Sequence, residues 1–134
     1  MINSTTIPVL EQVVQFTQAR HGVLAGNVAN LDTPGYRAVD LSPEMFKSRL
    51  REAIDARDRS PQTSSLSHPA QPNYDPVREV GGSLRSILYH DDSDVSIERQ
   101  VAEISKNQSM HNLALTIMTN QFRLLQTAIS ERVA

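Results

Sequence analysis

The side chains with the most chemical reach are four histidines and one acidic run. His21, His68, His90 and His111 are scattered along 134 residues that contain no cysteine. A metal site needs several His, Cys or carboxylate ligands at short, patterned spacings. His21 has none at ligand spacing on its own helix, so it is assigned a structural place at a helix seam, with a ring nitrogen bonded to a neighbour or to water. The run His90-Asp91-Asp92-Ser93-Asp94 echoes a calcium loop, because Asp92, Asp94 and Ser96 alternate and Glu103 stands at the twelfth place. The sixth place, which needs a glycine for its sharp turn, is Ile97. The run reads instead as a helix start, with Asp94 or Ser96 as cap and the acids complementing the helix dipole. No nucleophile motif, phosphate loop or paired-carboxylate site stands out. The chain is therefore not expected to be an enzyme, and no catalytic residue, metal or cofactor is assigned. The missing cysteines exclude disulfide and thiolate chemistry.

The most specific stretch is Asn27-Val-Ala-Asn-Leu-Asp-Thr-Pro-Gly-Tyr-Arg-Ala38. It ends a long helical pattern. Thr33 precedes a proline and is pushed toward extended geometry. Pro34 fixes φ and has no N–H, and Gly35 supplies a positive φ at no steric cost. Thr33 to Tyr36 thus predicts a type II turn. Asn30 and Asp32 stand where they can bond backbone groups left open at the helix end. Tyr36 and Arg37 are read as anchoring and solvating the turn.

Four segments position this stretch: 1–36 as N-terminal helix and turn, 37–58 as a short helical segment, 59–93 as a loop, and 94–134 as C-terminal helix, all in one domain. The first helix begins near Thr6 to Pro8, since proline is tolerated in a first turn. Its seam runs Ile7, Leu10, Val14, Thr17, His21, Leu24, Val28, Leu31, alternating three and four as a coiled-coil heptad does. Val13, Phe16 and Val23 widen it. Val39 to Leu41 look extended. Ser42-Pro43-Glu44 then predicts a capped helix to about Asp58. Pro61, Pro69, Pro72, Pro76, Gly81 and Gly82 exclude a long helix there, so a long, partly disordered loop is expected. Leu84, Ile87 and Leu88 fit a short helix or strand equally well. The last helix, about Val95 to Arg132, spans nearly 60 Å at about 1.5 Å per residue. Its seam is Ile97, Val101, Ile104, Gln108, His111, Leu115, Met118, Phe122, Leu125, Ile129. The fold class is mainly α, with the two terminal helices paired as a coiled-coil-like hairpin.

Charge is concentrated in the middle. Residues 1–31 carry only Glu11 and Arg20, and 107–130 only Arg123. Neutral polar side chains cost less to bury against a neighbour than charges do. Charge-poor ends with broad apolar stripes therefore predict helices that meet other subunits. Net charge is −2, which gives no basic surface for nucleic acid. No apolar run approaches the roughly 20 residues of a membrane span, and the N-terminus has no signal-peptide pattern.

Asn27 to Tyr36 resembles the N-terminal signature of the bacterial flagellar axial proteins, the rod, hook and hook-associated family. Arg37-Ala38 and the short length resemble the proximal rod members most. Asp92 to Glu98 resembles the family's entry to its last helix, where the usual pattern is richer in glycine and asparagine. The likeness covers roughly 5–56 and 91–132. It implies that the terminal helices form the inner layer of a hollow helical tube in the basal body, a structural role in motility. It also implies an assembly motif of Asn27, Ala29, Asn30, Asp32, Thr33, Pro34, Gly35 and Tyr36. The partners it implies are further copies of the chain, other rod proteins, and, at the base, the adaptor protein FliE with the inner-membrane ring and export gate. The route it implies is flagellar type III export to a periplasmic rod, without a cleaved signal peptide. Subunit packing is expected through Leu10, Val14, Leu24, Val28, Leu31, Val101, Ile104, Leu115, Met118, Phe122, Leu125 and Ile129. The alternative is a cytoplasmic helical adaptor or chaperone-like module that binds a partner helix through the same stripe without polymerising, or another rod protein of the family.

Overall fold

The computed structural model describes residues 5–59, 75–91 and 96–133. Along the chain come helix α1 (Ile7–Ala29), strand β1 (Val39–Leu41), α2 (Pro43–Arg59), α3 (Pro76–Glu79), a 3-10 helix (Gly81–Ile87), strand β2 (Leu88–His90) and α4 (Ile97–Val133). Local signals set several ends. Ser42 Oγ accepts from the Met45 N–H at 3.2 Å, with Pro43 in the first helical position. Ser96 Oγ accepts from the Arg99 N–H at 3.2 Å and so caps α4. Asp94, the other expected cap, lies outside the described residues, as does His68. Asp75 Oδ1 caps α3 through the Val77 N–H at 3.0 Å, ahead of Pro76.

Residues 75–91 are not the loop expected across 59–93. Besides α3 and the 3-10 helix, they supply β2, which pairs antiparallel with β1 through Val39 and His90, Asp40 and Tyr89, and Leu41 and Leu88. Leu84 and Ile87 fall in the 3-10 helix and Leu88 in the strand, so both expected forms occur side by side. The return is held from α2 by Arg49, which donates to Ser83 O and Ser83 Oγ at 3.2 Å and to Ser86 Oγ at 2.6 Å. It is held from α1 by Gln12 Oε1, which accepts the Gly81 N–H at 2.7 Å. Any side chain at Gly81 would run into Gln12 and Gln15.

The core follows from this return. Phe16 of α1 stacks on Phe46 of α2, with ring centroids 4.1 Å apart and planes 8° from parallel. Around them lie Leu41, Leu50, Ala53, Val77, Val80 and Ile87. Every member comes from 16–87, so the apolar centre lies between α1 and the middle of the chain. Phe16, expected only to widen the α1 seam, sits at that centre.

The terminal helices do pair antiparallel, as the bonds from Asn27 to Gln100, Arg20 to Glu103 and Thr17 to Asn107 show. Their two heptad seams do not meet as apolar rows, however. Val101, Leu115, Phe122 and Ile129 are exposed, while Ile104, Met118 and Leu125 are half-buried. The buried positions of α4 are Gln100, Asn107 and Ala114, a row that also keeps heptad spacing and lies one residue before Val101, Gln108 and Leu115. The physical reason lies on α1, whose facing side presents Thr17, Arg20 and Asn27. These groups need polar partners, and the polar row of α4 provides them.

Candidate assembly site

The turn after α1 has the expected geometry. Gly35 has φ of 74°, and the Tyr36 N–H donates to Thr33 O at 3.2 Å. Asn30 closes the helix end by donating from Nδ2 to Gly26 O at 2.8 Å, while its Oδ1 accepts from the Thr33 hydroxyl at 3.2 Å. Ala29, Asp32, Thr33, Pro34 and Gly35 are exposed.

Asn27 is the hub of this stretch, a role that spacing alone did not reveal. It is 1% exposed. Its Nδ2 donates to Val39 O at 2.7 Å and to Gln100 Oε1 at 3.2 Å. Its Oδ1 accepts from the Tyr36 hydroxyl at 2.9 Å and from the Val39 N–H at 3.2 Å. One side-chain amide thus does for Val39 what a neighbouring strand would do, and it also fastens the turn and α4. Aspartate lacks the donor and leucine lacks both groups, so the position needs an amide.

A charged knot lies beside it. Arg20 Nε and Nη2 donate to Asp40 Oδ1 and Oδ2, each at 2.9 Å, and Nη2 also reaches Glu103 Oε2 at 2.8 Å. Arg20 and Asp40 are buried. Burial alone would disfavour the Arg20 charge, but the hydrogen bonds and charges of Asp40 and Glu103 outweigh it and hold the guanidinium protonated well above its usual range. Glu103 is pulled below its ordinary carboxylate value, chiefly by the Lys106 hydrogen bond; burial opposes this and Arg20 adds to it. Burial, then the nearby Asp40 and Asp91 carboxylates, push the Tyr89 phenol up. Such a knot joins α1, β1 and α4, and breaking one partner would strand a buried charge. Only Arg20 and Glu11 are charged in the first 31 residues, and that rarity was the available sign of the knot.

The seam positions of α1 divide by burial. Leu24 is buried, whereas Leu10, Val14, Val28 and Leu31 are half-buried. His21 is exposed at the lip of a cleft of about 310 Å³ shared with Val14, Thr17, Gln18, Asn107, Gln108 and His111. Thr17 Oγ1 lies 2.9 and 3.0 Å from Val13 O and Val14 O and shares a hydrogen bond with His111 Nδ1 at 2.8 Å. Among the described residues no group of three or more His, Cys, Asp or Glu side chains could hold a metal ion, and Glu103 of the calcium-like run is taken by Arg20 and Lys106. Asp92 lies outside those residues. Leu113, Phe122, Leu124 and Ile129 stand exposed on α4, which carries only Arg123 as a charge between 107 and 130. Among the described residues no helix is long and apolar enough to cross a membrane.

Known proteins resemble this chain along most of its length. It is 27% identical over 119 residues to the flagellar basal body rod protein FlgB of Escherichia coli (strain K12), which covers 84% of each chain. It is 27% identical over 131 residues to FlgB of Bacillus subtilis (strain 168), covering 95% of each. With FlgB of Aquifex aeolicus (strain VF5) the identity is 28% over 126 residues, covering 91% of this chain and 90% of the relative. No family model matches the chain, and no solved structure matches it. Over 84–95% of its length, and at 27–28% identity, the chain is similar to the flagellar basal body rod protein FlgB of these three bacteria.

Proposed function

We propose that this chain is a flagellar rod protein, a structural subunit of the proximal rod that polymerises into a hollow helical tube, with no chemical step. The observation that supports this reading best is the outward apolar row of α4. Leu115, Phe122 and Ile129 are exposed on a stretch of α4, 107–130, whose one charged residue is Arg123, and Phe122 is 50% and Ile129 66% exposed. Packing these faces between copies removes apolar area from water at about 25 cal/mol per Å². A head-to-tail contact that does not close on itself propagates as a helix. In this reading Leu10, Val14, Val28, Leu31, Val101, Ile104, Met118 and Leu125 complete the packing, and the Asn27-anchored turn fixes where each chain leaves the inner layer. The neighbours are further copies, other rod proteins and, at the base, FliE with the export gate. The chain reaches a periplasmic rod through the type III export apparatus without a cleaved signal. The adaptor alternative is not favoured by the similarity to rod proteins.

The test is deletion of the gene in its host, with flagella counted by electron microscopy after complementation by the natural chain or by Phe122→Asp. Loss of rods and filaments, restored by the natural chain and not by the variant, is the expected result. Normal flagella in the deleted strain would overturn the structural role.

A further inference from the structure

We infer that the outer edge of β2 takes up a second copy of this chain, whose own β2 pairs with it antiparallel about Tyr89. The two edges of the small sheet are unlike. The edge of β1 is closed from within the chain. Asn27 bonds the Val39 N–H and C=O at 3.2 and 2.7 Å, and Asp40 Oδ1 accepts the Leu41 N–H at 2.7 Å. The edge of β2 is open. Between the strands, the Asp91 N–H donates to Ala38 O at 2.9 Å and the Ser42 N–H to Ile87 O at 3.3 Å. With Asp40 opposite Tyr89, that alternation turns the backbone groups of Leu88 and His90 away from β1. The Leu88 N–H donates to Arg85 O. Leu88 O and the N–H and C=O of His90 have no partner among the described residues. All three residues of the strand are exposed. Outside α4, the exposed large apolar side chains among the described residues are Leu88 and Tyr89 on this strand and Met45 in the first turn of α2. An edge of this kind, with no lysine or proline to blunt it, is a template for another strand.

Charge names the occupant. Arg85 precedes the strand, and Arg49 is held against the same segment through Ser83 and Ser86. Neither arginine meets a carboxylate among the described residues. Past the other end of the strand the sequence continues with Asp92 and Asp94. Antiparallel pairing of β2 with itself lays the acidic end of each copy along the basic end of the other, whereas a parallel pair would set acid beside acid. Centred on Tyr89, the pair lets each His90 N–H donate to the partner's Leu88 O. The two Tyr89 side chains then meet at a non-hydrogen-bonded position, where cross-strand neighbours stand closest. Both copies use the same edge, so the contact closes at two and does not propagate. It goes beyond the rod role and does not rest on it.

The experiment is sedimentation equilibrium of the full chain carrying Phe122→Asp, which takes the outward row of α4 out of play. A monomer–dimer equilibrium is expected. His90→Pro removes the outward N–H and no bond to β1, and proline is tolerated on such an edge. It should weaken the dimer about 10-fold or more while leaving circular dichroism and the urea midpoint unchanged. Arg85→Asp alone, and Asp92→Arg with Asp94→Arg alone, should each weaken the dimer about 10-fold by setting like charges together. Mixed in equal amounts, these two variants should dimerise as tightly as the parent, since each then meets its opposite. A chain that stays monomeric at about 0.1 mM, an affinity weaker than about −5.5 kcal/mol, would overturn the inference. So would a dimer that His90→Pro leaves unchanged, or a mixture of the charge variants no tighter than either alone.

Discussion

Replacing Asn27 by leucine keeps the side chain's bulk and removes all of its hydrogen bonds. The structure indicates what is stranded. Val39 loses partners for both its N–H and its C=O, previously at 3.2 and 2.7 Å. The Tyr36 hydroxyl loses its acceptor at 2.9 Å. A buried polar group left unpaired costs about 1–3 kcal/mol. Taking the two Val39 groups, the buried Gln100 Oε1 that loses its Asn27 donor at 3.2 Å, and the half-buried tyrosine, which can turn to water, at about 1 kcal/mol each gives roughly 4 kcal/mol. The apolar leucine returns about 1 kcal/mol by its burial. The net loss of about 3 kcal/mol is a large part of the roughly 5–15 kcal/mol that holds a domain together. Urea unfolding followed by circular dichroism should show the midpoint falling by roughly 1.5–2 M, for a slope of about 1.5–2 kcal/mol per M. Asp32→Ala in the same stretch is exposed and should stay within about 0.5 kcal/mol. An Asn27→Leu midpoint equal to that of Asp32→Ala would refute the reasoning that Asn27 pins the turn to β1.

Gly35→Val should destabilise by about 2 kcal/mol, because a β-branched residue is forced to positive φ, and Gly35→Asn should recover about half of that in the same titration. An added Cβ there meets nothing within 4 Å, so the effect is confined to the backbone. Phe122→Asp should leave the free chain's unfolding free energy within about 0.5 kcal/mol of the natural one while abolishing rods, separating assembly from folding; a large midpoint shift would mean that Phe122 supports the free fold. Glu103 is held below its ordinary value of 4.5, so the stability it contributes is present above that value and is lost as pH falls through its lower folded value. Urea midpoints measured from pH 7 downward should therefore drop in that acid window, and Glu103→Gln should flatten the part due to this group.

Much of the local structure was legible in single residues and their neighbours. Ser42 with Pro43, Ser96 before Ile97, and Pro34 with Gly35 each state a helix end or a turn within a few residues, because capping and φ preference act between near neighbours. The strand at Val39 to Leu41 and the extent of the last helix followed in the same way. Asp75 before Pro76 carried the same kind of signal for α3, obscured by the proline-rich run around it.

The sequence by itself determined the turn, the helix ends, the charge-poor apolar faces and the likeness to flagellar rod proteins. Tertiary structure alone decided which faces turn inward. Phe16 and Phe46 meet across 30 positions, and Arg20 and Glu103 across 83. Heptad spacing fits two adjacent rows of α4 equally well. The polar row of Gln100, Asn107 and Ala114 faces α1 because Asn27, Arg20 and Thr17 must be satisfied there. An unpaired buried polar group costs more than an exposed apolar one, so within the single chain the polar row turned inward and left Val101, Leu115, Phe122 and Ile129 to water, with Ile104, Met118 and Leu125 half-buried.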